Sequence, residues 1–188
     1  MARTVVYDAC VLYPAPLRDL LMRLALTGLF QARWTEQIHD EWTRNVAAKR
    51  PDLSAASLAR CRELMNEHVP DSLVVGYESL IPTLSLPDPD DRHVLAAAIH
   101  GGAGVIVTFN LKDFPTSTLA NHSIEAVHPD EFITTLWLES PDAVIDAARR
   151  QRASLKNPPK TAAELLAALE WCGLKATVDL LKTCSGRI

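Results

Sequence analysis

The chain has 188 residues, of which 48% are apolar and 22% charged, and a net charge of −4 from 19 basic and 23 acidic side chains. That balance suits an ordinary globular chain of one domain, or one domain with a helical extension, and excludes a chain too polar to bury a core. No apolar run approaches the roughly 18 residues of a membrane span, and the opening Met1-Ala-Arg-Thr-Val-Val-Tyr-Asp8 passes straight into a strand pattern without signal-peptide anatomy, so the expected compartment is the cytoplasm.

Arg3–Tyr7 is β-branched and aromatic and reads as a short buried strand that ends at Asp8. Leu17, Leu20, Leu21 and Leu24 recur at helical spacing within Pro16–Thr27, with Gly28 as the stop. Leu29–Trp34 reads as a second extended segment. Thr35 is a good N-cap for a helix over Glu36–Lys49, in which Ile38, Trp42 and Val46 mark one stripe. Ser54–Glu67 predicts a further helix, and the proline-rich stretch 70–89 predicts loop with one strand near Leu73–Val75.

Asp90–His100 reads as a strong helix led by acids, as the helix dipole favours, and Gly101, Gly102 and Gly104 end it. Gly104–Thr108 is the clearest buried strand and Ile124–Val127 is another. Asp130 caps a helix running to Leu138. Helices are then expected over Pro141–Ala153, Thr161–Trp171 (with the capping box Thr161-Ala-Ala-Glu164) and Leu174–Thr183. Short strands alternating with helices predict a βαβ architecture with a parallel sheet.

Cys10, Cys61, Cys172 and Cys184 form no Cys-x-x-Cys pair and have no clustered histidines, so free thiols are expected rather than a zinc site or a disulfide framework. Residues 1–139 carry 11 basic against 18 acidic side chains, while residues 140–188 carry 8 against 5. An acidic body is not what a passive nucleic-acid binder presents. Carboxylates gathered to be neutralised by cations would produce it.

Ligands of open parallel sheets sit beyond the carboxyl ends of the strands. Asp8 follows the first strand. Thr108 ends the Val-Ile-Val strand, and Asn110 and Asp113 lie in the turn after it. Asp91 lies near the start of the helix that enters that strand, and Glu41 shares a helix with Ile38 and Trp42. Carboxylates packed together resist ionising together, so a site holding four of them needs cations. Hard oxygen ligands without His or Cys suit Mg²⁺ or Mn²⁺, and the reaction class this implies is phosphodiester hydrolysis. Each acid also has a plainer reading: Asp8 as a turn or cap residue, Glu41 as a solvated helical charge, Asp113 as a turn former, and Asp88, Asp90 and Asp91 as helix caps. His93 and His100, seven apart, read as partly buried structural histidines.

Four segments together carry a resemblance. Val5-Val-Tyr-Asp8-Ala-Cys-Val-Leu12, Ile38-His-Asp-Glu41-Trp-Thr-Arg-Asn45, Pro87-Asp-Pro-Asp-Asp91-Arg-His-Val-Leu-Ala-Ala-Ala98 and Val107-Thr-Phe-Asn-Leu-Lys-Asp113-Phe114 resemble the four acidic motifs of PIN domains, in the family's order. The last, Thr-x-Asn-x-x-Asp-Phe, is the most specific. The family includes VapC-type toxins of bacterial toxin–antitoxin pairs. The resemblance implies a three-layer α/β/α sandwich with a short-stranded parallel sheet over residues 1–138, plus a C-terminal helical extension over 139–188. It also implies a Mg²⁺ or Mn²⁺ site and cleavage of RNA by an endoribonuclease.

By position, Asp8, Glu41, Asp91 and Asp113 become the metal-binding and catalytic acids. Thr108 and Asn110 support them, and Asp90 is the fallback for Asp91. A small antitoxin is the family-based partner. The extension, which lies beyond the common motifs and resembles the tails of a longer subgroup, is expected to form a dimer or partner surface, or to hold RNA through Arg149, Arg150, Arg152 and Lys156. A receiver-like module would need a second acid beside Asp8, and an aspartyl phosphatase would need Asp-x-Asp where the chain has Asp8-Ala-Cys10. The remaining alternative is a catalytically inactive PIN-like module that binds RNA or a partner.

Overall fold

The structure, a computed structural model, describes residues 3–188; Met1 and Ala2, part of the N-terminal run read above, lie outside them. The first strand, β1 (Arg3–Tyr7), is built from Val5, Val6 and Tyr7, all fully buried. Burial on both faces is what a central parallel strand requires, and a continuous apolar run supplies it. Next come α1 (Ala9–Leu12), α2 (Ala15–Ala25), β2 (Phe30–Arg33), α3 (Glu36–Lys49) and α4 (Ala55–His68). The second half of the sheet is formed by α5 (Arg92–His100), β3 (Val105–Val107), α6 (Thr116–Leu119) and β4 (Glu125–Val127). The chain closes with α7 (Pro129–Glu139), α8 (Pro141–Ser154), α9 (Ala162–Trp171) and α10 (Lys175–Lys182).

The four strands pair in the order β2-β1-β3-β4, parallel throughout, with Val5 opposite both Ala32 and Val105, and Val105 opposite Glu125. The chain leaves β1 toward one edge and later returns to its other side, so the strand order reverses between β1 and β3. That crevice is where open α/β sheets bind ligands. Successive strand residues face opposite sides. Tyr7 points its hydroxyl at the Leu21 carbonyl of α2 (3.2 Å) and its ring edge-on at Phe132 of α7 (6.4 Å between centroids). Helix α5 packs over β1 and β3. The result is the α/β/α sandwich with C-terminal helices that the resemblance implies.

The extension is joined to this body by side-chain contacts. Helix α8 packs on α2, where Gln151 Nε2 donates to the Pro16 carbonyl (2.7 Å) and Arg23 donates to Ser154 Oγ (3.0 Å). Helix α10 is seated on α7 through Asp130. Its carboxylate accepts the Ala176 and Thr177 N–H groups (2.8 Å each) and the Thr177 hydroxyl (2.6 Å). One apolar cluster runs from Val5 to Ile188 and includes Val144, Leu165, Leu169 and Val178 of the extension.

Three local expectations differ from the structure. The strand expected near Leu73–Val75 is a single bridge, Leu73 opposite Trp34, closed by Trp34 N to Ser72 O (2.9 Å) and Val74 N to Trp34 O (2.8 Å). Gly76, at φ +81°, then turns the chain away before a ladder can grow. The helix expected from Asp90 opens as a 3-10 turn over Pro89–Asp91, because the Asp88 carboxylate accepts the Asp90 N–H (2.9 Å), and it becomes α-helical only at Arg92. The helix expected to be capped by Asp130 begins at Pro129 with His128 as its cap, because His128 Nδ1 accepts the Asp130 N–H (3.2 Å) and leaves the Asp130 carboxylate free for α10. Among the described residues no helix is long and apolar enough to cross a membrane.

Candidate active site

Asp8 is the first residue past β1, and its N–H continues the ladder to the Val107 carbonyl (3.1 Å), so Asp8 stands beside Thr108 at the β1–β3 crevice. Its side chain is 2% exposed. The Thr108 hydroxyl donates to Asp8 Oδ2 at 2.6 Å and itself accepts the Asn110 N–H at 2.9 Å. The Cys10 thiol donates to the same Oδ2 at 3.1 Å and accepts the Phe109 N–H at 3.3 Å. Burial pushes the Asp8 carboxyl up, these two donors oppose that, and the charge of Glu41 adds to it. Burial and the Asp8 charge likewise push the Cys10 thiol up, so it stays protonated and remains a donor.

Asp91 is 9% exposed, while Asp90 is exposed, so Asp91 is the member of the pair that enters the cleft. Its carboxyl is pushed up to about 7, first by burial and then by the charges of Asp8, Asp88, Asp113 and Glu41. Coulombic influence falls with separation, so the charges of Asp8, Glu41 and Asp113, and of Asp88 beside them, all reach Asp91. Asp91 Oδ2 is buried and has no hydrogen-bond partner.

Glu41 projects from α3, which is anchored by Trp42. The indole N–H of Trp42 donates to His39 Nδ1 (2.9 Å), His39 Nε2 meets Asn66 Oδ1 of α4 (3.1 Å), and the Arg18 guanidinium lies over the Trp42 ring (4.5 Å). The Glu41 carboxylate lies 3.4 Å from Nε2 of His93, which is 3% exposed. Asp113 is half-buried, held by its N–H on the Asn110 carbonyl (2.9 Å).

Sequence reasoning missed two groups that touch the acids. His93, read as structural, contacts Glu41 across 52 residues of chain, and Cys10, read as an ordinary free thiol, contacts Asp8. A periodic pattern cannot reveal the first. The second was visible only as a polarisable residue two positions after the acid. The basic set on the extension is dispersed: Arg149 and Arg150 both pair with Asp146 on their own helix, Arg152 is half-buried, and Lys156 is exposed.

The fit to a divalent cation rests on three features: hard oxygen donors, uncompensated negative charge, and a buried oxygen with no partner. Among the described residues no three His, Cys, Asp or Glu side chains stand at the spacing of a single-ion site.

Known proteins resemble this chain in two stretches. A family description, VapC50 C-terminal domain, matches residues 129–183. A protein of Mycobacterium tuberculosis (strain ATCC 25618 / H37Rv), named "Putative ribonuclease VapC50", is 47% identical over 73 residues, which is 37% of this chain and 43% of that protein. The match thus spans less than half the length of that relative. No solved structure matches the chain. The description PIN domain matches residues 4–112, more than half of the sequence and the stretch that holds Asp8, Glu41, Asp91 and Thr108, and the chain belongs to the PIN-domain family.

Proposed function

We propose that the protein is a divalent-metal-dependent endoribonuclease that hydrolyses RNA phosphodiester bonds and acts as the toxin of a toxin–antitoxin pair. The observation that carries this reading is Asp91: a buried carboxylate with a free oxygen, ringed by four other acids at the crevice where the strand order reverses. Asp8, Glu41, Asp91 and Asp113 are the residues to hold Mg²⁺ or Mn²⁺. Such an ion lowers the pKa of a water and neutralises charge on a leaving phosphate oxygen. Thr108 and Cys10 fix one oxygen of Asp8, so that its orientation is set before substrate arrives. His93 backs Glu41. Asn110 shapes the turn that presents Asp113.

The name of the Mycobacterium relative supports RNA as substrate, and the toxin reading brings with it a small antitoxin partner and a cytoplasmic setting. We also propose the division into a nuclease region, 1–138, and an extension, 139–188. The extension is the region for a homodimer contact, and it adds the charges of Arg149, Arg150, Arg152 and Lys156 as a long-range attraction for RNA. Neutralising those four should weaken binding and flatten its salt dependence.

The test is cleavage of single-stranded and structured RNA by the purified chain in Mg²⁺ or Mn²⁺, with chelator, Asp8→Asn and Asp113→Asn as controls. Metal-dependent cleavage that is lost in both variants is expected. Cleavage that survives all three controls would belong to a contaminant. RNA retained but uncut by the unmutated chain would favour the non-cutting module, which the wide spacing of the acids allows.

A further inference from the structure

Trp171 is 87% exposed, although Trp34 and Trp42 are fully buried and Trp137 is half-buried. It ends α9, two residues before Gly173, whose φ of +87° turns the chain into α10. A Cβ at Gly173 would stand 3.5 Å from Phe109 Cε1 and 3.9 Å from His128 Cε1, and those two rings meet edge-on with centroids 5.2 Å apart. The turn is therefore seated on Phe109, the residue between Thr108 and Asn110 whose N–H donates to Cys10. Asp130 locks the start of α10 on the other side of the turn. Trp171 and Lys175 are thus held in fixed relation to the carboxylate cleft. Lys112 follows Phe109 by three residues, in the turn between Asn110 and Asp113. Both lysines are exposed, and neither enters an ion pair among the described residues.

The cleft is acidic and repels a polyanion, so a nucleic-acid strand entering it must be gripped by groups at its edge. We propose that the turn of residues 171–175 is a docking platform for single-stranded RNA: Trp171 stacks on one base, and Lys175 and Lys112 hold flanking phosphates. This rests on the ribonuclease reading and adds to it where the substrate enters and that its bases must be unpaired. An exposed aromatic with Lys175 four residues on, and with the adjacent Glu170 offset by Lys182 at 3.8 Å, suits this ligand, since every base has a π-face and phosphates flank it. A protein partner would need a contiguous apolar patch, whereas Glu164 and Glu170 interrupt the exposed Ala163 and Ala167 of α9.

The experiment measures binding of a fluorescein-labelled 12-nucleotide single-stranded RNA by anisotropy, in Mg²⁺, with the full chain carrying Asp8→Asn to prevent cutting. Adding Trp171→Ala should weaken affinity about tenfold, within the range for loss of one base–aromatic stack, while Trp171→Phe stays within about threefold. Adding Lys112→Ala and Lys175→Ala together should flatten the salt slope by about 1.4, the value for two phosphates on a single strand. In the cleaving chain, Trp171→Ala should raise KM about tenfold and leave kcat within about twofold.

Abasic sites walked along the oligonucleotide probe the same contact from the RNA side: one position should lose affinity, and that loss should vanish in Trp171→Ala. Equal affinity with and without Trp171 overturns the platform while leaving the ribonuclease reading intact if the unmutated chain still cuts. A dimer that Trp171→Ala dissociates would assign the side chain to a protein interface and overturn the platform as well. A chain that neither binds nor cuts RNA defeats both readings.

Discussion

Asp91 and Asp130 both stand at helix beginnings, and the molecule treats them in opposite ways. Asp91 directly precedes α5, where a carboxylate ordinarily accepts helix N–H groups, yet its side chain makes no capping bond and one buried oxygen has no partner. Asp130, in the first turn of α7, accepts three donors from α10. A satisfied carboxylate fastens one element to another. An unsatisfied one, pressed among like charges, is a cost that a folded protein keeps for chemistry.

The largest expected effect that tests this contrast is on activity. Asp91→Asn should cut RNA cleavage at least about a hundredfold, as loss of several kcal/mol of metal-borne charge stabilisation implies, without lowering the melting temperature. A variant that cleaves normally would reduce Asp91 to a structural residue. Thr108→Val, which removes the donor to Asp8 Oδ2, should lower metal affinity or activity by about 10–100-fold, the usual range for groups that orient ligands. Titration with Mn²⁺ would read it.

Asp130→Ala should show the reverse profile. Loss of a charged cap for α10 costs about 2 kcal/mol, or about 4–8 °C in melting temperature for a chain of this size, with activity per folded molecule retained. The pH profile sharpens the same comparison. Burial and the neighbouring acids push the Asp91 carboxyl up to about 7, from an ordinary value of 3.8, so the folded state holds its proton more tightly. That contribution to stability is fully present below about 3.8 and is lost as pH rises through 7. The metal-free chain should therefore lose stability across this window relative to Asp91→Asn, and Mg²⁺ should raise the melting temperature more at pH 8 than at pH 5. Calorimetric scans of both proteins provide the check. The smallest effect belongs to exposed Asp90: Asp90→Asn should change stability by less than about 0.5 kcal/mol and leave cleavage within twofold.

Much of this was legible in the chain because it depends on local patterns. Val-Val-Tyr followed by Asp8 announces a buried strand with a polar end, and the leucines of α2 and the Thr35 cap of α3 announce their helices. The acid motifs occur in an order that places Asp8 and Asp113 after strands, Asp91 at a helix start and Glu41 within a helix. What was hidden depends on contacts between distant segments. Glu41 meets His93 only because α3 and α5 flank the same cleft, and the isolated Leu73 bridge depends on how Trp34 leaves β2. Adjacent acids at a helix start read alike in sequence, and only the fold separates them: Asp91 is buried and Asp90 is exposed. The basic side chains of α8 looked available in sequence, but two of them find Asp146 one turn away on their own helix.

The place of β1 in the sheet has a consequence in time as well as space. Its partner β3 lies about a hundred residues later, and the hydroxyl that steadies Asp8 belongs to Thr108. A ribosome must deliver that later stretch before the first acid has its neighbour, and closing so long a loop is slow compared with forming a helix. A half-made chain therefore has Asp8, Glu41 and Asp91 but neither Asp113 nor their arrangement, and the cell that makes it meets an assembled cleft only after most of the polypeptide has emerged.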